Sequence, residues 1–159
     1  MRFLRRSVGR GARNAALTGL ERRIAEQGWT VVNVLADAAA QEYSYTVGLA
    51  SKRLPELIMV GMRREVAQLC LNTIAEQLIA GKAFTPGKPI ENTFKDAPVA
   101  VWPVSFATAQ AWLTLAKDLT GDSWPALQVC WPDQQGFFPW QEGYSLAAVE
   151  QPILGLFDG

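Results

Sequence analysis

The chain has 159 residues, the length of one ordinary domain, and 49% of them are hydrophobic while 19% are charged. This balance is typical of a chain that buries a core and excludes a disordered one. No apolar run approaches the roughly 18 residues that a membrane-spanning helix needs, so no transmembrane segment is predicted. We expect a single domain over residues 15–159, preceded by a basic arm over residues 1–14.

The formal net charge is zero, but the charges are unevenly distributed. Residues 1–23 hold seven arginines against one acid, Glu21, and the remaining residues carry the opposite excess. Such an arm is most often a solvated chain end. Contact with nucleic acid or an anionic lipid surface, or a role as a transit peptide, is also compatible with its composition.

The two cysteines, Cys70 and Cys130, are predicted to be small buried hydrophobes, the first on the apolar face of a helix and the second inside a strand. The N-terminal residues lack the continuous apolar stretch of a secretory signal. We therefore expect a cytoplasmic protein whose thiols stay reduced.

The periodicity of the apolar residues predicts an alternation of helices and strands. In chain order, these are a helix over residues 13–27, strands over 29–35, 43–49 and 56–60, a helix over 63–80, a strand over 99–104, a helix from 105 to about 119, and a strand over 126–131. Short loops join the first three strands, which favours an antiparallel meander. Pro103 favours an edge position for its strand, because proline cannot donate a hydrogen bond. We predict an α+β fold, with about three helices packed on an antiparallel sheet or half-open barrel of about five to six strands.

Catalytic motifs are absent from the sequence. The chain contains no histidine, which removes the usual general base and any Ser-His or Cys-His nucleophile pair. It has no Cys-x-x-Cys spacing and no glycine-rich phosphate loop, so neither a zinc site nor a nucleotide site of those types is predicted. Asp133 and Glu142 lie beside an aromatic segment, but proximity in sequence alone is a weak indication of acid–base chemistry. No catalytic residue and no metal site are predicted, and whether the protein is an enzyme stays open.

Candidate binding residues occur first in the predicted strand over residues 43–49. Tyr45 and Thr46 can present hydroxyl groups to a ligand, and Gly48 lets a backbone or ring approach closely. Alternation by itself also places the tyrosines on one buried face, which is an ordinary core role. Both interpretations stay open.

The segment from Trp131 to Trp140 holds four large aromatic residues within ten positions. Its two prolines restrict the backbone, Gly136 permits a tight turn, and Asp133 can accept bonds from nearby amides in an Asx-turn. The aromatic residues can close the end of the sheet as a hydrophobic lid. The alternative is a platform for a ligand or partner, to which we also assign Gln128.

A set of short motifs occurs in order along the chain. They are Gly28-Trp29, Tyr45-Thr-Val-Gly-Leu49, Pro55-Glu-Leu57, Leu71-Asn72, Leu127-Gln128, Trp131-Pro-Asp133, Phe138-Pro-Trp140 and Gln151-Pro-Ile-Leu-Gly155. Together they resemble a bacterial domain-of-unknown-function family, number 4262, over roughly residues 25–155. The resemblance implies no established activity.

Two functional hypotheses follow. The first is a non-catalytic binding or interaction domain, of accessory or immunity type, that presents its aromatic platform to a protein partner or a small molecule. The alternative is a flavin- or other cofactor-binding enzyme of split-barrel type. In that enzyme FMN lies against Tyr45, Thr46, Trp131 and Trp140 and supplies the chemistry. The alternative rests on likeness of fold alone.

Overall fold

The structure is a computed structural model, and it describes residues 10–37, 41–91, 93, 97–121, 124–145 and 150–155. Residues 1–9 of the predicted arm and residues 156–157 of the apolar tail lie outside the described residues. In chain order, the elements are α1 (Arg10–Gln27), β1 (Thr30–Val34), β2 (Tyr43–Val47), a short 3₁₀ helix (Ala50–Lys52), β3 (Glu56–Val60), α2 (Arg64–Ile79), β4 (Ala100–Val104), α3 (Phe106–Trp112), α4 (Thr114–Thr120) and β5 (Ala126–Cys130).

The five strands form one open sheet in the order β1-β2-β3-β5-β4. The first three strands form the predicted antiparallel meander, with Tyr45 paired to Val32 on one side and to Ile58 on the other. β5 joins β3 in parallel and pairs antiparallel with β4. The α+β class and the number of strands are confirmed. The sheet is mixed instead of antiparallel, because the long connection through α2, β4, α3 and α4 brings β5 back in the direction of β3.

Helices cover both faces of the sheet. On one face, α1, α3 and α4 pack over Tyr43, Tyr45 and Val47, so the predicted alternation of β2 is confirmed. On the other face, α2 packs against β3 through a buried stripe. That stripe consists of Ala67, Cys70, Leu71, Ile74, Ala75 and Leu78. Every residue of β2 and β3 is buried as a result, since each strand has a core on both sides.

The predicted helix over residues 105–119 is two helices in the structure, which gives four helices in place of about three. Ser105 caps α3 as predicted, because its Oγ accepts a bond from the Thr108 amide at 3.3 Å. At Leu113 the backbone leaves the helical region, with φ −95° and ψ 62°. The four residues 113–116 are all buried, and one straight helix turns through about 100° per residue and exposes part of such a run.

Two tyrosines of β2 satisfy the backbone groups that this break releases. The Tyr43 hydroxyl donates to the Trp112 carbonyl at 3.1 Å, and the Tyr45 hydroxyl accepts from the Leu115 amide at 3.2 Å. Buried backbone groups need such partners where a helix is interrupted. The break therefore depends on contacts with β2. The local sequence of residues 105–119 does not reveal these contacts.

β4 lies at one edge of the sheet, as Pro103 predicts. Single bridges join Val104 to Gly155 and Val99 to Ile90, so described segments of the chain cover part of this edge. Cys70 and Cys130 are buried and unlinked, as predicted. Burial raises the pKa of the Cys70 thiol to about 12, which keeps it protonated and unreactive. None of the described helices combines the length and the apolar character needed to cross a membrane.

Candidate functional site

The loop after β5, over residues 131–145, is organised by the carboxylate of Asp133. Oδ1 accepts bonds from the amides of Gln135 and Phe137, both at 2.9 Å, so the predicted Asx-turn is confirmed and extended. Oδ2 accepts from the amide and the hydroxyl of Ser145 at 2.9 and 3.0 Å. Asp133 thus joins the beginning of the loop to its end.

The environment of Asp133 favours its ionised form. Desolvation raises the pKa of this carboxyl, but the amide and hydroxyl donors of Phe137, Ser145 and Gln135 outweigh it, so the pKa lies below its usual value. A carboxylate that is charged at neutral pH and accepts four hydrogen bonds is suited to holding a loop in place. It does not suit proton transfer.

Three aromatic rings lie one on another at this loop, and we call them the aromatic stack. Phe138 and Trp140 belong to the loop, and Trp102 belongs to β4. The ring planes of Phe138 and Trp140 are 4° apart with centroids 5.1 Å apart. Those of Trp140 and Trp102 are 19° apart with centroids 4.7 Å apart. Phe138 is buried and both indoles are half-buried, while the neighbouring Phe137 is 39% exposed.

Two glycines allow the backbone to approach Trp102. A β-carbon at Gly155 would lie 2.5 Å from Cδ1 of Trp102, and one at Gly87 would lie 3.2 Å from its Cζ3. Gly87 also has a φ of 79°, in the left-handed region that favours glycine. The stack is therefore wedged between two backbone segments that only small residues permit.

Two buried glutamines hold the C-terminal segment, residues 150–155, against β5. The side-chain amide of Gln128 donates to the Pro152 carbonyl and accepts from the Leu154 amide, both at 2.8 Å. The side-chain amide of Gln151 accepts from the Trp131 amide and donates to its carbonyl, both at 2.9 Å. A glutamine side chain offers the same donor and acceptor as a peptide group, so each one takes the place of a strand neighbour.

A second polar group lies at the other end of the sheet, because Glu56 begins β3 whereas the loop of residues 131–145 follows the parallel strand β5. Oε1 of Glu56 accepts from the Thr46 hydroxyl at 2.7 Å and the Leu49 amide at 3.2 Å. Oε2 accepts from the amides of Gly48 and Ala50 at 3.0 and 3.1 Å. Burial raises the pKa of Glu56 to about 7 against the opposing effect of these donors.

The structure distributes the predicted site residues among separate environments. Tyr45 lies in the core beneath α4, and Trp131 packs in the core on the opposite face. Trp140 belongs to the aromatic stack. Their contact with a ligand stays a prediction.

The other predicted residues fall into two groups. Thr46 and Gly48 meet at Glu56, and the predicted close approach of a backbone is seen at Gly48, where a β-carbon would lie 2.8 Å from the Gly28 carbonyl oxygen. Gln128 bonds to the C-terminal segment, and Asp133 holds the loop of residues 131–145. Sequence reasoning missed Glu56, Trp102 and Gln151. For Glu56 the indication was a lone carboxylate at the start of the otherwise apolar strand Glu56–Val60.

No group of three or more Cys, Asp or Glu side chains that could hold a metal ion occurs within the described ranges. Two shallow cavities are lined by residues other than the three rings of the aromatic stack. One, of about 340 Å³, is lined by the loop over residues 82–85 and 88–91, and the other, of about 500 Å³, lies along β1.

The motifs that carry the family resemblance contact one another in pairs. The Trp29 indole donates to the Asn72 side chain at 2.9 Å, which joins the Gly-Trp turn to α2. Glu56 holds the turn after Thr46-Val-Gly, and Gln128 holds the C-terminal segment, as described above. These residue types at these positions thus have a structural reason: they hold distant parts of one fold together.

No curated protein matches the chain, and no solved structure matches it. The model of a protein family described as a domain of unknown function, DUF4262, matches residues 23–145. This range contains all five strands and every helix except the first part of α1. The chain therefore belongs to the DUF4262 family.

Proposed function

We propose that the protein is a non-catalytic binding domain that presents the aromatic stack to a partner. The observation that carries the proposal is the near-parallel arrangement of Phe138, Trp140 and Trp102 with both indoles half-buried. Tryptophan is the residue type most enriched among those that dominate binding energy, because one ring desolvates a large area.

The loop that carries Phe138 and Trp140 is held in one conformation before any partner arrives. Asp133 accepts four hydrogen bonds across it, and the Gln141 side chain accepts one from the Phe138 amide at 2.8 Å. A surface that is already ordered loses less conformational entropy on binding. Preorganisation therefore supports a binding role for this face.

The polar groups beside the stack support binding better than catalysis. The side chains of Asp133, Gln141 and Gln151 all bond to backbone groups of the loop or of β5. The carboxylate of Asp133 has a lowered pKa, which makes it a poor general acid or base near neutral pH. The polar groups beside the stack thus support a recognition surface and offer no evident proton-transfer group there.

The flavin alternative receives less support from the geometry. Its four proposed pocket residues, Tyr45, Thr46, Trp131 and Trp140, do not line one cavity, because Tyr45 and Trp131 lie in the cores on opposite faces of the sheet and Trp140 lies in the stack. The likeness to a split barrel also weakens, since the sheet is open and mixed. Titration with FMN while tryptophan fluorescence is recorded tests this alternative, and no response at tens of micromolar excludes it.

The binding role is tested with the variant Trp140→Ala against the control Phe106→Ala. Phe106 is 57% exposed on α3 and lies outside the stack. Wild type and each variant are immobilised and exposed to an extract of the organism that produces the protein. Any retained protein is purified, and its affinity for wild type and for each variant is measured by titration. We expect Trp140→Ala to weaken binding at least tenfold and Phe106→Ala to leave it unchanged.

One measurement and one further variant separate a loss of binding from a loss of folding. Thermal unfolding shows whether Trp140→Ala is folded, and Trp140→Phe retains an aromatic ring if it is not. Equal binding by wild type and a folded Trp140→Ala would contradict the role of the stack. Equal loss in Phe106→Ala would also contradict it.

A further inference from the structure

β1 forms the edge of the sheet opposite β4, and the two edges differ in their protection. β4 contains Pro103 and is bridged by Gly155, whereas no described segment pairs with the outer side of β1. β1 reads Thr-Val-Val-Asn-Val, without proline, lysine or any other charge. Natural proteins usually protect an exposed edge with such residues, because its free N–H and C=O groups otherwise pair with another strand.

A groove of about 500 Å³ runs along this edge. β1 supplies residues 30–33 as its floor, α1 supplies one wall, and Gln68 of α2 and Leu115 of α4 complete the lining. The α1 wall consists of Ala16, Leu20 and Arg23, which recur at the spacing of one helix face. The groove thus places the outer edge of β1 beside a helix wall that carries one exposed charge.

Arg23 is the charged residue of the lining. Its side chain is exposed, and among the described residues no carboxylate forms an ion pair with it. The adjacent Arg22 adds a second positive charge, and α1 as a whole holds four arginines against two glutamates, Glu21 and Glu26. An arginine guanidinium binds a carboxylate through two parallel hydrogen bonds, so an acidic side chain is its natural complement.

We infer that the β1 edge is a docking site for an extended acidic segment of a partner protein, which adds to the sheet as a sixth strand. Its backbone pairs with β1, and one of its Asp or Glu side chains binds Arg23 on the α1 side of the sheet. The alternate apolar side chains face the opposite side, where Val31 lines the groove. This is strand addition, in which main-chain bonds provide affinity and alternate side chains provide specificity.

The charge of the groove selects this occupant over the two that the chain itself offers. A second copy docked through β1 would bring the basic helix α1 of each copy together across a two-fold axis, and like charges repel. Residues 1–9 carry three arginines and no acid, so the same repulsion disfavours them. The surface is distinct from the aromatic stack, so the two proposals stand or fall separately.

A synthetic peptide tests the inference on the full chain. The probe is a seven-residue peptide that alternates valine with glutamate, with blocked ends and a fluorescent label, and the comparison peptide carries lysine for glutamate. We expect the acidic peptide to bind by fluorescence anisotropy and the lysine peptide to bind at least tenfold more weakly. Equal binding of the two peptides would overturn the inference.

Variants of α1 test the role of Arg23. Arg23→Glu and the control Arg22→Glu make the same change of charge on neighbouring exposed residues, but only Arg23 lines the groove. We expect at least a tenfold loss of peptide affinity for Arg23→Glu and less than a threefold loss for Arg22→Glu. An equal loss in both would indicate general attraction to a basic helix and would refute a specific site.

Backbone methylation separates strand addition from side-chain contact. Two further peptides carry N-methyl groups on alternate residues, one on the odd positions and the other on the even ones. Only one edge of an added strand faces β1, so we expect one pattern to abolish binding and the other to leave it within threefold. The same outcome for both patterns would rule out strand addition.

The other occupants are tested directly. Light scattering of the free protein shows whether it is a dimer, and a chain without residues 1–9 shows whether the arm competes for the groove. We expect a monomer and an unchanged peptide affinity. A dimer that the peptide dissociates, or an affinity that rises tenfold without the arm, would assign the groove to the chain itself.

Discussion

Thr46 donates its hydroxyl proton to Oε1 of Glu56 at 2.7 Å, and the same Thr46 oxygen accepts a bond from the Leu57 amide at 2.8 Å. One side chain of β2 therefore fixes both the carboxylate and the backbone at the start of β3. Because Glu56 in turn binds the amides of residues 48–50, the connection from β2 to β3 is held from inside the protein.

The stability of the protein should fall as the pH rises from about 4.5 to about 7. Folding raises the pKa of Glu56 from 4.5 to about 7, so between these values the folded protein holds a proton that the unfolded chain has lost. The contribution is fully present below the unfolded pKa and is lost as the pH rises through the folded one, with a total of at most about 3 kcal/mol. Urea unfolding at pH 5 and pH 8 measures it.

The variant Glu56→Gln is the control, since it removes this titration. Its free energy of unfolding should change less between pH 5 and pH 8 than that of the wild type. The lowered pKa of Asp133 places its own titration below 3.8, outside this window. An identical pH dependence in both proteins would show that Glu56 does not titrate as its burial implies.

Replacing the Thr46 hydroxyl by a methyl group should destabilise the fold strongly. Thr46→Val keeps the shape of the side chain but leaves the buried Leu57 amide without its partner and removes one donor from Glu56. We expect a loss of about 2–3 kcal/mol in chemical denaturation. Thr18→Val is the matched control, because that exposed hydroxyl bonds the Asn14 carbonyl within its own helix, α1, and the change should cost no more than about 0.5 kcal/mol. Equal costs would contradict the special role of Thr46.

Gly48 should tolerate no side chain. Its φ is 117°, and a β-carbon would lie 2.8 Å from the Gly28 carbonyl oxygen and 3.0 Å from Cα of Trp29. We expect Gly48→Ala to destabilise the protein by more than about 2 kcal/mol, or to prevent folding. The control Gly136→Ala has a similar positive φ of 92° but no atom within 4 Å of the added carbon. Its cost should stay near 1 kcal/mol, and thermal and urea unfolding of both variants measure the difference.

Deletion of residues 1–12 should leave the melting temperature nearly unchanged, within about 2 °C. Residues 10–12 are exposed, and the side chains of α1 that pack on the core begin at Leu17 and continue with Leu20 and Ile24. The comparison chain lacks residues 1–24 and should lose cooperative unfolding, since it lacks all three. A large drop for the shorter deletion would show that the arm contributes to the fold.

Local patterns in the sequence predicted much of this fold. Alternation identified the buried face of β2, Pro103 identified an edge strand, Ser105 identified a helix cap, and Asp133 identified an Asx-turn. Each of these features depends on atoms within a few residues of one another. The ordered motifs also identified the family. This identification needed only the order of the motifs and no knowledge of which motifs contact one another.

What the sequence by itself determined about this protein is its α+β class, the absence of histidine and its family. Only the tertiary structure decided that β5 runs parallel to β3, that α3 ends at Trp112, and that Trp102 joins Trp140 in the aromatic stack. It also decided that Glu56 and Gln128 hold turns and strands that lie far away along the chain. The physical reason is that a buried polar or aromatic side chain is satisfied by whatever the folded chain brings beside it. That neighbour is set by the crossing of distant segments, on which local periodicity has no influence.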